Sequence, residues 1–480
     1  MRSHDPRVIQ GGMGVGVSNW SLANAVAAAG QLGVVSGTAL DTVLVRRLQR
    51  GDVGGHVRRA MAAFPFPDIA RATADRYLRT GVDAQRSEFK LLALPNARMT
   101  AEREDLLVLA NFVEVFLAKE GHSGPVGINY LYKIQLPLLP SLYGAMLAGV
   151  SYVLMGAGIP TDVPEALDHL SEHQESSLPL DVEGAGDERF TLKFDPSRYG
   201  LESLGPALRP RFLPIVASAT LARALLKKAR GAIHGFIVEG PIAGGHNAPP
   251  RGELKLSERG EPIYGERDVV NPEHMRALEV PFWLAGAYAS REKFLAALEQ
   301  GAHGVQLGTA FAFCEESGIE SALKQRFLQS VLHGNAGVYT DPCASPTGYP
   351  FKVACLDGTM SCESEYQRRP RICDVGYLRQ PYRKADGTLG YRCASEPVDD
   401  YCRKGGNLEE TRGRKCLCNA LLTNIGLGQT HPNGFAELPM LTAGDDLACL
   451  KELVTSDRPT YHARDVLALV LNEQCAPAPR

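Results

Sequence analysis

The sequence predicts an α/β protein: a (β/α)₈ TIM barrel with helical insertions and a cysteine-rich C-terminal extension. Three observations support this fold class. Short apolar runs recur eight times in the first 310 residues, alanine-rich amphipathic segments separate most of these runs, and cysteines are concentrated after residue 340. Alternation of strands and helices indicates a parallel sheet, and eight repeats favour closure into a barrel.

The eight runs end in glycine, serine, threonine or another polar residue, as expected where a buried strand meets a loop. The predicted strands are VIQGGM (8–13), GVVSGT (33–38), VGINYLY (126–132), YVLMGAG (152–158), LPIVAS (213–218), GFIVEG (235–240), VPFWLAG (280–286) and GVQLGT (304–309).

The pattern divides the chain into a barrel over residues 1–340 and an extension over residues 341–480. Two connections are too long for ordinary barrel loops. Residues 39–125 read as mostly helical, and residues 162–212 contain a polar, hairpin-like segment. We therefore expect two insertions in the barrel.

Composition argues against nucleic-acid and membrane functions. The net charge of −3 offers no electrostatic reason to bind nucleic acid or an anionic membrane. Residues 134–161 form an uncharged stretch that is long enough to span a bilayer, but three prolines interrupt it. It divides better into a buried helix (141–147) and a buried strand (152–155). The first ten residues lack the apolar core of a signal peptide, so we expect a cytoplasmic protein.

The stretch IVEGPIAGGHNAPPRG (237–252) follows the sixth predicted strand. Loops at the C-terminal ends of barrel strands carry the chemistry of this fold, so His246 falls on the catalytic face. Histidine is also the side chain most easily poised as a base near neutral pH. The alternative is a loop histidine that only caps a hydrogen bond.

The loops after the seventh and eighth strands, AGAYAS (285–290) and LGTAF (307–311), are the usual barrel site for a phosphate. Gly286, Gly308 and Thr309 offer backbone N–H groups and a hydroxyl there; the alternative is that both glycines only form turns. The motif GGMGVG (11–16) does not match a dinucleotide fingerprint, because the third glycine would fall at Val17.

Taken in order, QGGMGVGVS, INYLY, AGGH, WLAGAY and VQLGTAF resemble the nitronate monooxygenase (2-nitropropane dioxygenase) family of FMN-dependent barrels, over about residues 7–350. The resemblance implies a catalytic role for His246 and a phosphate site at Gly286, Gly308 and Thr309. The remaining flavin-binding positions that it implies are Gly12, Met13, Gly14, Asn129, Gly244 and Gly245.

Two departures from the family pattern bear on the substrate. Gly286-Ala287 replaces the usual Gly-Gly after the seventh strand, and NAPPRG follows His246 where the family commonly has arginine or glycine. These changes predict a rigid substrate pocket that differs from that of the family.

The resemblance implies an FMN-dependent oxidoreductase that oxidises nitronates or nitroalkanes with O₂. The alternatives are a flavin-dependent enoyl (acyl carrier) reductase that uses NAD(P)H and an NAD(P)H:quinone reductase. The enoyl reductase would act on an enoyl thioester and have an acyl carrier as partner. A non-catalytic flavin-binding scaffold fits less well because it does not need the AGGH histidine. A homo-oligomer is compatible with all three.

Eight of the 11 cysteines lie between residues 343 and 418. In a cytoplasmic protein this density favours metal or redox chemistry over structural disulfides. Zinc, or an iron–sulfur cluster, is one interpretation of a group of four: Cys373, Cys393, Cys416 and Cys418. The irregular spacing leaves an equal alternative, in which these thiols are buried separately in a small subdomain. The basic stretches around them are compatible with a cover over the barrel mouth, a docking site for an anionic carrier, or a solvated surface.

Overall fold

The computed structural model describes residues 5–200 and 204–472. Its strands are β1 Val8–Gln10, β2 Leu32–Ser36, β3 Val126–Leu131, β4 Tyr152–Gly156, β5 Ser176–Leu180, β6 Phe190–Phe194, β7 Arg211–Val216, β8 Phe236–Glu239, β9 Phe282–Ala285, β10 Gly304–Leu307, β11 Gly337–Asp341, β12 Phe351–Cys355, β13 Gln380–Arg383 and β14 Leu389–Arg392.

The α-helices are distributed between the barrel strands, the insertions and the extension. They are α1 Trp20–Ala28, α2 Leu40–Gln49, α3 His56–Ala62, α4 Pro67–Tyr77, α5 Ala101–Lys119, α6 Leu138–Leu147, α7 Val163–Ser171, α8 Ala219–Lys228, α9 Pro272–Arg276, α10 Arg291–Glu299, α11 Thr309–Ala312, α12 Ser321–Leu332, α13 Glu363–Arg368, α14 Val398–Arg403, α15 Leu417–Thr423, α16 Ala448–Leu453 and α17 Ala463–Leu471.

Eight of the described strands form one closed parallel barrel in the order β1-β10-β9-β8-β7-β4-β3-β2. The last strand closes on the first, with Val8 paired to Val305. These eight are the strands that the sequence predicts, and most end a few residues earlier than predicted. The (β/α)₈ TIM barrel is therefore confirmed.

The barrel interior is filled by side chains, as in other closed eight-stranded barrels. One buried cluster contains inward-facing residues from six of the eight strands. Trp283 is its largest member and donates its indole N–H to the carbonyl of Pro6, 2.7 Å away, at the N-terminal end of the barrel. This packing closes the barrel at the N-terminal ends of its strands and leaves the face at the C-terminal ends for a site.

Both insertions have the predicted character. Residues 39–125 contain four α-helices, and residues 162–212 contain α7 and an antiparallel pair formed by β5 and β6. The uncharged stretch 134–161 folds as α6 and β4. None of the helices within the described ranges is long and apolar enough to cross a membrane.

The extension packs onto the barrel. Hairpin β11–β12 crosses the predicted boundary at residues 340/341, and α17 packs against α10 and α1 of the barrel. Residues 473–480, the last part of the predicted extension, lie outside the described residues.

Candidate active site

A cavity of about 540 Å³ lies where the loops after the barrel strands meet the extension. This volume is within the range of small-molecule sites. The cavity is lined by all ten positions that the sequence predicts for catalysis or flavin binding. They are Gly12, Met13, Gly14, Asn129, Gly244, Gly245, His246, Gly286, Gly308 and Thr309. Positions far apart in the sequence are thus brought to one place, and the extension supplies part of the wall.

The loop that carries His246 is fixed by short pairing with the extension. The N–H of Lys352 donates to the carbonyl of Gly245, and the N–H of Asn247 donates to the carbonyl of Pro350, both at 2.9 Å. The N–H of Gly245 also donates to the Thr442 hydroxyl at 3.0 Å. These bonds hold the backbone on both sides of the histidine.

This packing explains the two adjacent glycines before the histidine. A Cβ at Gly244 would lie 2.9 Å from the backbone nitrogen of Gly444, so the extension approaches too closely for any side chain. Gly245 has φ of 83°, a left-handed conformation that glycine adopts at little cost. The glycine pair therefore allows the extension to dock against the loop of His246.

The imidazole of His246 is held by a hydroxyl from the extension. Its Nε2 lies 2.7 Å from Oγ of the buried residue Ser345, which lies 2.8 Å from Oγ1 of Thr347. The ring of Phe351 packs edge-on against the imidazole, with centroids 4.8 Å apart. The ring orientation is thus set by residues outside the barrel, while Nδ1 makes no hydrogen bond to any residue that the structure describes.

Burial lowers the pKa of His246 to about 4, and the charge of Lys133 acts in the same direction. The Lys133 ammonium donates to the carbonyl of Thr347 at 3.2 Å and lies over the ring of Tyr349, 4.1 Å from its centroid. The imidazole is therefore neutral at physiological pH, with a lone pair available as a hydrogen-bond or proton acceptor.

Glu239 is a second titratable group on the cavity wall. It ends β8, and within residues 5–200 and 204–472 its carboxyl group has no hydrogen-bond or ion-pair partner. Burial raises its pKa to about 8. At neutral pH it is therefore a protonated acid that can donate a hydrogen bond to a ligand.

The residues around the first strand fit a planar ligand. A Cβ at Gly12 would lie 2.3 Å from Cβ of Asn129, so a flat backbone surface is maintained beside that side chain. Two buried oxygens on the cavity wall, Oε1 of Gln306 and Oδ1 of Asn247, have no hydrogen-bond partner within the described part of the chain. A ring with polar edges, such as a flavin, would supply partners for groups of this kind.

The candidate phosphate loops lie side by side on β9 and β10, which are neighbours in the barrel. A Cβ at Gly308 would come no closer than 3.7 Å to any other side chain or backbone atom, an ordinary van der Waals contact, so a methyl group would fit beside this residue. Thr309 accepts a hydrogen bond from the N–H of Gly444 of the extension at 2.8 Å. Ala287, where the family commonly has glycine, has φ of 60°, an uncommon conformation for a residue with a side chain. The backbone of this loop thus follows the course that glycine favours.

The cysteine prediction receives no support from the geometry. Among the residues described, no group of three or more His, Cys, Asp or Glu side chains is placed to hold a metal ion. Burial raises the pKa of all four thiols, and Cys418 also feels the charges of Cys416, Cys393 and Cys373. They therefore share one region, but as protonated thiols rather than as a preformed thiolate site. The zinc or iron–sulfur centre stays a prediction.

Comparisons with known proteins agree with the sequence motifs. Residues 208–335 match the family model for nitronate monooxygenase. A probable nitronate monooxygenase of Bacillus subtilis (strain 168) is 36% identical over 116 residues, which is 24% of this chain and 31% of that protein. One from Staphylococcus haemolyticus is 30% identical over 136 residues, which is 28% of this chain and 36% of that protein. The chain spans about a third of the length of these relatives.

Two solved structures align with nearly the whole chain at low identity. FabK from Thermotoga maritima has a TM-score of 0.47 and 15% identity, covering 98% of this chain and 93% of its own. Nitroalkane oxidase from Streptomyces ansochromogenes has a TM-score of 0.47 and 13% identity, covering 98% and 95%. The matched segment 208–335 contains β7 to β10, the loop of His246 and both candidate phosphate loops. The resemblance of this sequence to the nitronate monooxygenase family is thereby confirmed over residues 208–335 of the barrel.

Proposed function

We propose that this chain is an FMN-dependent oxidoreductase that oxidises nitronates with O₂, and that His246 acts on the substrate. One observation carries the proposal: the family match covers the loops after the last four barrel strands, which meet in the cavity, and the neutral imidazole of His246 lies on the wall of that cavity. An oxidoreductase is the class of activity that the names of the relatives support.

The cofactor would be held by the barrel side of the cavity. Gly12, Met13, Gly14 and Asn129 would lie along the ring system, and Gly286, Gly308 and Thr309 would hold the phosphate with backbone N–H groups and a hydroxyl. When bound, FMN would supply the electron-transfer chemistry, and the protein would supply position and proton handling.

The side chains of this chain favour a nitronate over its neutral nitroalkane. A base whose conjugate acid has a pKa of about 4 is weak, so His246 would remove the α-proton of a nitroalkane slowly. A nitronate has already lost that proton. Its negative charge would lie in the field of Lys133, which also acts on His246. His246 would then orient the anion through a hydrogen bond and accept a proton only when the substrate enters in its neutral form.

Protonated Glu239 would donate a hydrogen bond to a bound ligand. Its carboxyl group lies on the cavity wall without a partner in the described part of the chain, and a buried acid that stays neutral is suited to contact a carbonyl or ring nitrogen. Such a contact would position a ligand without taking part in proton transfer.

An anaerobic titration of the yellow protein tests the proposed function. The protein is mixed first with NADH or NADPH and then with propyl-1-nitronate, and bleaching of the visible absorbance is followed. We expect bleaching only with the nitronate, and O₂ consumption once air is admitted. Bleaching by a nicotinamide alone, without turnover of nitronate, would contradict the proposal and favour the enoyl or quinone reductase. No bleaching by either would favour the scaffold.

A further inference from the structure

A second cavity, of about 690 Å³, borders the loop that leads to His246. It is built by residues 257–264 of the long loop after β8, the C-terminal end of α12, hairpin β11–β12 and α16. Its volume is within the range of small-molecule sites. None of the ten predicted catalytic or flavin-binding positions lines it, so the proposed function leaves this cavity unused.

The second cavity shares a wall with the candidate active site. Pro241, Ile242 and Tyr264 line both cavities. The carbonyl of Ile242 accepts a hydrogen bond from the N–H of Asp445 at 3.1 Å, which fixes the loop against the extension. A molecule in the second cavity would therefore contact the same loop that carries His246.

Much of the lining of the second cavity is apolar. Each of the elements that build it supplies apolar side chains, and the set is Ile242, Pro262, Val331, Ala336, Val338, Leu447 and Ala448. Ile242 is 42% exposed, so it presents a large apolar surface. A ligand with an apolar body would remove this surface from water.

The acidic side chains of the second cavity are already bound within the protein. Five charged side chains line it, three basic and two acidic: Arg259, Lys352, Lys451, Glu261 and Asp445. Both carboxylate oxygens of Asp445 accept hydrogen bonds from the buried Lys352 ammonium, at 2.8 and 2.7 Å. Oε1 of Glu261 accepts from the N–H of Thr340 at 2.9 Å, and its Oε2 lies 3.5 Å from Nε of Arg259.

Two of the basic side chains keep donors that the described part of the chain does not use. Lys451 forms no hydrogen bond or ion pair with any residue of 5–200 and 204–472, and the two Nη atoms of Arg259 have no acceptor there. The basic side chains also outnumber the acidic ones. An anionic group would thus be attracted to this cavity, whereas a cationic group would find both acids occupied.

We propose that the second cavity binds a small organic anion. Its apolar body would lie against Val331, Val338 and Leu447, and its carboxylate would lie near Lys451 and Arg259. The proposal does not depend on the flavin chemistry, because it uses a different set of side chains.

A ligand-observed NMR titration of the unmodified protein with 1-naphthoate tests the proposal. For a ligand of this size we expect a Kd of about 1 mM or lower. 1-Naphthamide has the same rings without the charge, so it should bind at least about fivefold more weakly. Benzoate keeps the charge but lacks the second ring, and it should also bind more weakly because it buries less apolar surface.

Two variants locate the bound anion. Lys451→Glu should raise the Kd of 1-naphthoate about tenfold, because it replaces attraction by repulsion. Val338→Trp should abolish binding, because the larger side chain would fill the cavity. Neither residue lines the candidate active site. Lys227→Glu is the matched control, since it makes the same change of charge at an exposed position of α8, and it should keep the Kd of the unmodified protein.

Three outcomes would overturn the proposal. One is absence of 1-naphthoate binding up to about 10 mM. Another is an equal Kd for 1-naphthoate and 1-naphthamide, and the third is an unchanged Kd in Lys451→Glu, which would place the anion elsewhere. These measurements need neither bound flavin nor turnover. The proposed function can therefore fail in its own anaerobic titration while 1-naphthoate still binds as expected, and the reverse can also be observed.

Discussion

Replacement of Glu239 by glutamine should stabilise the protein at pH 8.5 much more than at pH 5. The carboxyl group lies on the cavity wall without a partner among the described residues, and burial raises its pKa from 4.5 to about 8. Between pH 4.5 and about pH 8, Glu239 keeps its proton in the folded chain and releases it in the unfolded chain. The free energy of unfolding therefore falls as the pH rises through this window, because the folded state binds more protons.

The size of the effect follows from the difference between the two pKa values. At 1.36 kcal/mol per pH unit, the difference corresponds to about 5 kcal/mol, of which about 4 kcal/mol falls between pH 5 and pH 8.5. Glu239 faces a cavity that water can enter, so part of this cost is relieved by solvation, and we expect about 2 kcal/mol. For 480 residues the entropy of unfolding is about 1 kcal/mol per kelvin, which converts this value to about 2 °C in melting temperature.

Differential scanning calorimetry at the two pH values measures the difference directly. The melting temperature of Glu239→Gln should exceed that of the unmodified protein by about 2 °C more at pH 8.5 than at pH 5. Glu258→Gln is the matched control, because Glu258 is exposed on the loop after His246 and should show no such difference. An equal offset for Glu239→Gln at both pH values would refute the reasoning, since it would mean that Glu239 ionises in the folded state as it does in water.

Four further predictions concern the site and the extension. His246→Ala should keep its flavin and lose ~10²–10⁴-fold activity with neutral nitroalkanes but less with preformed nitronates. An equal loss with both substrates would show that His246 only orients the substrate. In the unmodified protein the contribution of His246 to activity should not change between pH 8 and pH 5, because its pKa is about 4. Gly308→Asp should abolish flavin retention by repelling the phosphate. Gly308→Ala should retain flavin, because its Cβ would come no closer than 3.7 Å to another atom. A released cofactor identified as FAD would contradict the predicted mononucleotide. Ser345→Ala should retain flavin and lower kcat with nitronate by up to about tenfold, which corresponds to the loss of one hydrogen bond to His246. An unchanged kcat would mean that Phe351 alone fixes the orientation of the imidazole ring. If the extension binds zinc or iron, Cys416→Ser should lower the metal content found by elemental analysis. Cys355→Ser should leave the metal content unchanged, because Cys355 is exposed. Metal-free protein whose extension resists proteolysis would contradict the prediction of a metal site.

The barrel and the meeting of its strand-end loops at one cavity could be predicted from sequence because their signals are local. A buried parallel strand is an apolar run of a few residues, and the loop after it is punctuated by glycine. The position of His246 after the sixth strand was enough to place it on the functional face. These rules need no knowledge of distant contacts, which is why the eight strands and the convergence of their loops were predictable.

The residues that tune the histidine left no comparable signal. Ser345 and Thr347 lie about 100 residues after His246, in a segment that reads only as an extended link. Lys133 follows the third barrel strand and looks like an ordinary loop lysine. Glu239 was detectable, because a charged residue that ends a buried strand is unusual, but its raised pKa depends on a cavity that only the folded chain defines.

The cysteines are the opposite case, a strong compositional signal whose metal site stays a prediction, because no group of three or more metal ligands is preformed among the described residues. Their density suggested a metal centre, yet in the fold burial keeps these thiols protonated and Cys418 contributes to the apolar side of the cavity. The extension acts on the site through contacts of another kind, a hydroxyl on His246 and backbone pairing beside it. Since the chemistry would reside in the barrel while the histidine's orientation and part of the cavity wall come from the extension, changes in the extension should alter substrate choice without removing the cofactor.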